Sequence, residues 1–205
     1  MKRTKPGPHS PPFFFAPYAA SATKYLARSQ HEVTRLSARE MDAMADAIEE
    51  SYRRDKFVFI IGNGGSATTA QHFAEDLGKS GVGDFEKQKR LKVISLADNM
   101  GYITAWANDT SYERVFVEQL KNLAGRGDLL IAISGSGNSP NILCAVEWAN
   151  AHGLRTFGLT GYSGGKLKKL ARQGLHVKLN DMGMVESLHL LLFHYVLARV
   201  HRRCL

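Results

Sequence analysis

Residues Phe57 to Asp76 read FVFIIGNGGSATTAQHFAED, and the reading of this stretch decides the fold. An unbroken apolar run, Phe57 to Ile61, is rich in β-branched and aromatic residues and stops at Gly62-Asn63-Gly64-Gly65-Ser66. A run this short, closed by glycines, predicts a strand buried on both faces of a parallel sheet. The glycines let the backbone turn sharply and turn its N–H groups outward. The helix predicted from about Ser66 to Leu77 adds a positive dipole end, so the turn suits an anion such as phosphate. His72 and Asp76 stand four residues apart, on one face of that helix.

Outward from this stretch, strands and helices alternate. Ser37-Ala-Arg-Glu40 is a capping box opening a helix that ends near Arg53, with Met41, Met44, Ala45 and Ile48 at helical spacing. Residues 13 to about 30 predict a short helical arm with aromatic anchors, and the Pro-rich basic residues 1–12 predict a disordered tail. Downstream, strands are expected at 91–96, 128–134, 155–160 and, weakly, 175–179. Helices are expected at about 100–109, 111–124, 140–152 and 184–202. The pattern predicts an α/β fold, a three-layer α-β-α sandwich on a parallel sheet of about five strands. The helices of 13–55 and the domain of 56–205 form one unit.

Composition narrows the function. The 205-residue chain carries a net charge of +8, of which Lys2, Arg3, Lys5, Arg199, Arg202 and Arg203 supply six. Basic ends of this kind read as solubilising tails, so no nucleic-acid partner is expected. No apolar run approaches the roughly 18 residues of a membrane span, and prolines at 11, 12 and 17 break the weak signal-peptide look of residues 1–22. Cys144 and Cys204 match no disulfide or metal spacing, which suits a reduced, cytoplasmic protein.

In open α/β sheets ligands sit at the carboxyl ends of strands, where a second glycine loop, Ser134-Gly-Ser-Gly-Asn-Ser139, joins the first. Ser134, Ser136 and Ser139 offer hydroxyls beside flexible amides, which is a phosphate site by composition. A turn capped by Ser139 before Pro140 is the plain alternative. Gly62, Gly64 and Ala67 also match GxGxxA, but the acid expected about 20 residues on is absent; Asp98 is the nearest candidate. The last helix, MVESLHLLLFHYVLARVH, is very apolar yet carries Glu186, His189 and His194. With His72 and Asp76, Glu186 and His194 make a credible metal or acid/base set, provided the fold brings the helices together.

These motifs, with Gln71-HFAED, Asn108-Asp109, Leu159-TGYSGG and Glu186-xx-His189-xxxx-His194, resemble the sugar isomerase (SIS) superfamily and within it the phosphoheptose isomerases. The resemblance covers residues from about 55 to 200. It implies a flavodoxin-like sheet and a homotetramer with active sites at subunit interfaces. The implied reaction is aldose-ketose isomerisation of sedoheptulose 7-phosphate to glycero-manno-heptose 7-phosphate through an enediol(ate). Substrate contacts fall on Asn63, Gly64, Gly65, Ser66, Asn108, Asp109 and Glu186, with phosphate at Ser134, Gly135, Ser136 and Ser139. Zinc falls on His72, Asp76, Glu186 and His194, and the acid/base roles on Asp76 or Glu186 with His194. The family usually has Glu where Asp76 stands and Gln where Glu186 stands. The alternatives are an isomerase of a related sugar phosphate and a non-catalytic SIS sensor or adaptor, such as one binding a replication initiator.

Overall fold

The structure is a computed structural model, and it describes residues 21–79, 83–84 and 86–204. The basic start and the first part of the expected aromatic arm lie outside the described residues. The helix α1 spans Ala22–Val33 and α2 spans Ala38–Arg53. Then follow β1 (Val58–Gly62), α3 (Gly65–Lys79), β2 (Val93–Ser95), α4 (Met100–Asp109), a 3-10 turn (Tyr112–Arg114) and α5 (Val117–Leu123). The second half comprises β3 (Leu129–Ser134), α6 (Pro140–Ala151), β4 (Arg155–Thr160), α7 (Leu167–Leu170), β5 (Gln173–His176) and α8 (Met182–Cys204).

All five strands are parallel, in the order β2-β1-β3-β4-β5. Val58 to Ile61 are fully buried, as the double-faced reading of β1 requires. Val58 and Ile60 join the core beneath α2, α3 and α8, whereas Phe59 and Ile61 join the core beneath α5 and α6. Two helical layers thus enclose one sheet, and α2 belongs to the core through Met44, Ala45 and Ile48. Among the described residues no helix is long and apolar enough to cross a membrane.

Several elements differ from the sequence expectation. The fifth strand runs over Gln173–His176 rather than 175–179, because its partners are Phe157 to Thr160 of β4. The helix expected over 111–124 is split, with Val115 and Phe116 dropping into the core between the 3-10 turn and α5. Only half of the capping box forms. Ser37 Oγ accepts the Glu40 N–H at 3.2 Å, but the Glu40 carboxylate instead accepts the His176 N–H of β5 at 3.0 Å. The C-terminal arginines are not a tail: Arg199 pairs with Asp42 and Asp46, and Arg203 with Glu49, fastening α8 to α2.

His189 is wholly buried in the α8 core, and neither ring nitrogen has a hydrogen-bond partner among the described residues. Burial pushes its pKa from 6.5 to about 4, with His176 adding to the shift and the Thr160 carbonyl opposing it. A depressed histidine favours the native state only while neutral. Its contribution is therefore complete above pH 6.5 and is lost as pH falls towards 4, to a total of about 3 kcal/mol. His189→Leu removes both unpartnered nitrogens, so it is expected to flatten the loss of stability between pH 6.5 and 4 in urea titrations. An unchanged pH slope would contradict this account.

Candidate functional site

The chain steps from β1 to β2 on one side and then returns to place β3 on the other side of β1. A crevice opens at such a switch point, at the carboxyl ends of β1 and β3, and the two polar glycine loops leave from those ends. Gly62 closes β1 so tightly against α3 that a Cβ there would lie 2.4 Å from the Ser66 carbonyl oxygen. Asn63 is locked across the crevice. It exchanges two side-chain hydrogen bonds of 2.9 Å with Asn141 on α6, and its Oδ1 also accepts from the Tyr112 hydroxyl at 3.0 Å. Asn141 is itself buried.

The second loop is shaped by its own serines. Ser134 Oγ accepts the Gly137 N–H at 3.1 Å and lies 3.3 Å from Ser139 Oγ. Ser139 stands at the N-cap of α6 but makes no capping hydrogen bond, so the plain capped-turn alternative fails and its hydroxyl faces Ser134 instead. Between the loops lies a cavity of about 280 Å³, lined by Asn63, Gly64, Gly65, Ser66, Ser134, Gly135, Ser136, Ser139, Met182 and Glu186. Every expected contact of the two loops therefore meets in one place. Asn108 and Asp109 do not: they are exposed at the end of α4, bonded to each other at 2.9 Å. Tyr112, just beyond them, is what reaches the first loop.

A second cluster lies further along α3 and α8, which run side by side in the same direction. Phe73 stacks on Phe193 with ring centroids 4.0 Å apart and sets their register. That register brings one ligand atom each from His72, Asp76 and His194 within 4.8 Å of one another. His72 Nε2 is 3.3 Å from Asp76 Oδ2, and the His72 and His194 rings meet edge to face at 5.5 Å.

Glu186, the fourth expected ligand, is not part of this group of three. It sits two turns before His194, about 12 Å along the axis at 1.5 Å per residue. Its carboxylate lies over Gly65, where a Cβ would come within 2.5 Å of both oxygens. It makes no hydrogen bond or ion pair among the described residues, and burial raises its pKa above the ordinary carboxylate range. Two nitrogens and one carboxylate oxygen match in kind and number the protein ligands of a catalytic zinc site, so His72, Asp76 and His194 fit such an ion.

A family model for the SIS domain matches residues 19–161. A probable phosphoheptose isomerase of Thermoplasma acidophilum is 35% identical over 89% of this chain and 98% of its own length. This chain belongs to the phosphoheptose isomerases of the SIS superfamily. Another relative, the phosphoheptose isomerase of Aliarcobacter butzleri, is 40% identical over 72% of this chain and 76% of its own. The solved phosphoheptose isomerase GmhA of Neisseria gonorrhoeae superposes with a TM-score of 0.80 at 28% identity, covering 89% of this chain and 96% of that one. In this family setting, sequence reading missed Asn141, Tyr112 and Met182. Asn141 stood within reach, being the first polar residue after the SGSGNS loop.

Proposed function

We propose that the protein is an aldose-ketose isomerase that converts sedoheptulose 7-phosphate to glycero-manno-heptose 7-phosphate. The observation that carries the reading is the juxtaposition of a serine- and glycine-lined cavity with a His72-Asp76-His194 cluster along the same pair of helices. Membership of the phosphoheptose isomerases supports it. Phosphate is held by Ser134, Ser136, Ser139 and the loop amides, and the sugar chain runs along α3 and α8 towards the cluster. Binding energy at the phosphate end then orients carbons that do not themselves touch the loops.

Isomerisation moves a proton between adjacent carbons through an enediol(ate). Asp76 is assigned as the base and His194 as the partner that moves the hydroxyl proton. Glu186, at the phosphate end, binds the chain. Zinc held by His72, Asp76 and His194 would supply Lewis-acid stabilisation of the developing oxyanion. An imidazole nitrogen cannot hold a metal and a proton at once, so metal content and turnover have to be measured on the same sample.

The assembly is a homotetramer in this reading, supported by exposed Leu191 and Tyr195 flanking His194 on α8, where a neighbour would cover them. A cytoplasmic location is supported by the free thiols of Cys144 and Cys204. The expected result is turnover of sedoheptulose 7-phosphate by the purified protein, reduced by a chelator and restored by Zn²⁺. A folded tetramer that leaves this substrate untouched with and without Zn²⁺, in a panel that includes other ketose and aldose phosphates, overturns the assignment.

A further inference from the structure

The hydrogen bonds around Asn63 decide which way each polar group points. The Ile142 N–H, which can only donate, donates to Asn141 Oδ1 at 3.0 Å and so fixes the orientation of the Asn141 amide. Asn141 Oδ1 then accepts from Asn63 Nδ2, and Asn141 Nδ2 donates to Asn63 Oδ1, each at 2.9 Å. Asn63 therefore turns its oxygen, not its nitrogen, to the Tyr112 hydroxyl 3.0 Å away. An amide oxygen accepts and never donates. The single hydroxyl proton of Tyr112 is thus committed to Asn63, and what the phenol oxygen offers to anything else is its lone pairs.

The fold holds this oxygen in place. Tyr112 opens the 3-10 turn Tyr112–Arg114, which packs on α4 and α6, and the next residues, Val115 and Phe116, are buried in the core. Asn63 lines the cavity between the two glycine loops, so the phenol oxygen stands one hydrogen bond from the cavity wall. The serine hydroxyls and amides of the second loop are donors suited to phosphate oxygens. Tyr112 has the opposite polarity. An unprotonated phosphate oxygen would meet lone pairs there, whereas a sugar hydroxyl can donate to them. Donation to the Asn63 oxygen polarises the phenol and strengthens it as an acceptor.

We infer that Tyr112 is a specificity-determining residue, which accepts a hydrogen bond from a hydroxyl of the sugar chain and so sets the direction of the ligand, phosphate at the serines and hydroxyls past Asn63. The inference rests on the isomerase reading for the class of ligand, a polyhydroxylated phosphate, and on the chain from Asn141 through Asn63 to Tyr112 for the polarity. A site that bonds a ligand hydroxyl discriminates against ligands without one, because its own polar group is then left unpaired.

The test compares full-length wild type with Tyr112→Phe by calorimetric titration, using as probes inorganic phosphate and the alditol phosphate made by borohydride reduction of sedoheptulose 7-phosphate. The alditol keeps the hydroxyls and the phosphate but has no carbonyl, so it binds without being turned over. Phenylalanine keeps the ring, removes the hydroxyl and leaves the Asn63-Asn141 pair in place. Tyr112→Phe is expected to weaken the alditol phosphate about fivefold, the scale of one neutral hydrogen bond, and to leave the affinity for inorganic phosphate unchanged. Equal weakening of both probes would make Tyr112 a brace for the first loop and overturns the inference. Unchanged alditol affinity, or no alditol binding by wild type, overturns it as well. Turnover of sedoheptulose 7-phosphate by wild type is scored separately. Selective loss of alditol affinity in a protein that never turns the sugar over refutes the isomerase reading and leaves the assignment of Tyr112 standing.

Discussion

Asp76→Asn is expected to lower kcat/KM for sedoheptulose 7-phosphate by about 10³-fold, the scale of a lost general base. Asparagine preserves the shape of the side chain but cannot take a proton, and it is a poor metal ligand. The loss should fall on kcat rather than KM, because Asp76 lies nearly three turns along α3 from Ser66 in the cavity proposed to hold the phosphate. Folding should be little affected. Among the described residues the carboxylate's only ion pair is with His72 at 3.3 Å, and the imidazole side chain is 45% exposed. An exposed pair of this kind contributes roughly 0 to 1 kcal/mol. Asp76→Glu separates chemistry from position: it keeps the charge and advances the carboxylate by one methylene, about 1.5 Å. Partial activity in Asp76→Glu with none in Asp76→Asn is the expected pair of results. An Asp76→Asn protein retaining more than a tenth of wild-type kcat/KM would remove Asp76 from the mechanism.

Much of the architecture follows from residues whose burial leaves a mark on composition. β1 and β3 are covered on both faces, so every position before their closing Gly62 and Ser134 is apolar and the runs stand out. β5 is an edge strand beginning Gln173-Gly174, both exposed, and the apolar residues that draw the eye come after it. α7 has four residues, too few for any period to show. The split between the 3-10 turn and α5 arises because Val115 and Phe116 are needed in the core, a tertiary demand that helical spacing does not reveal.

The site was legible to the extent that it depends on backbone. Glycine and serine in a loop after a buried strand report directly on exposed amides, and both loops line one cavity. What could not be read is register between elements distant in sequence. The Asn63-Asn141 clamp joins residues 78 apart in the chain, brought together by the switch point. The helical wheel of α8 puts Glu186 and His194 about 80° apart, yet which part of α3 each meets depends on how the two helices slide. The Phe73-Phe193 stack fixes that slide, placing His194 on His72 and Glu186 on Gly65. For the same reason the C-terminal arginines looked unpaired: Asp42 and Asp46 lie more than 150 positions away.

Gly137→Ala is expected to destabilise the protein by about 2–4 kcal/mol and to raise KM for the sugar phosphate steeply. Two effects combine at this residue. Its φ of +67° lies in the left-handed region, which costs a residue with a Cβ about 1–2 kcal/mol. A Cβ would also lie 2.1 Å from the Gly164 carbonyl oxygen and 2.6 Å from its carbon, both backbone atoms with no rotamer to yield. Here the second glycine loop packs main chain against main chain with a third, Gly161-Tyr-Ser-Gly-Gly165, which follows β4. Gly165 is equally close from the other side, and the Leu167 N–H donates to the Gly137 carbonyl at 2.9 Å. Relief of the collision requires either loop to move, and moving the second one shifts Ser134, whose hydroxyl accepts the Gly137 N–H. Gly64→Ala is the matched control. Its φ of +55° carries the same conformational cost, but nothing lies within 4 Å of the new methyl group. Gly64→Ala should therefore lose only about 1–2 kcal/mol in urea unfolding. Equal stability of the two variants would mean that the loop-to-loop contact contributes nothing beyond backbone strain, and that the second loop is not braced by the third.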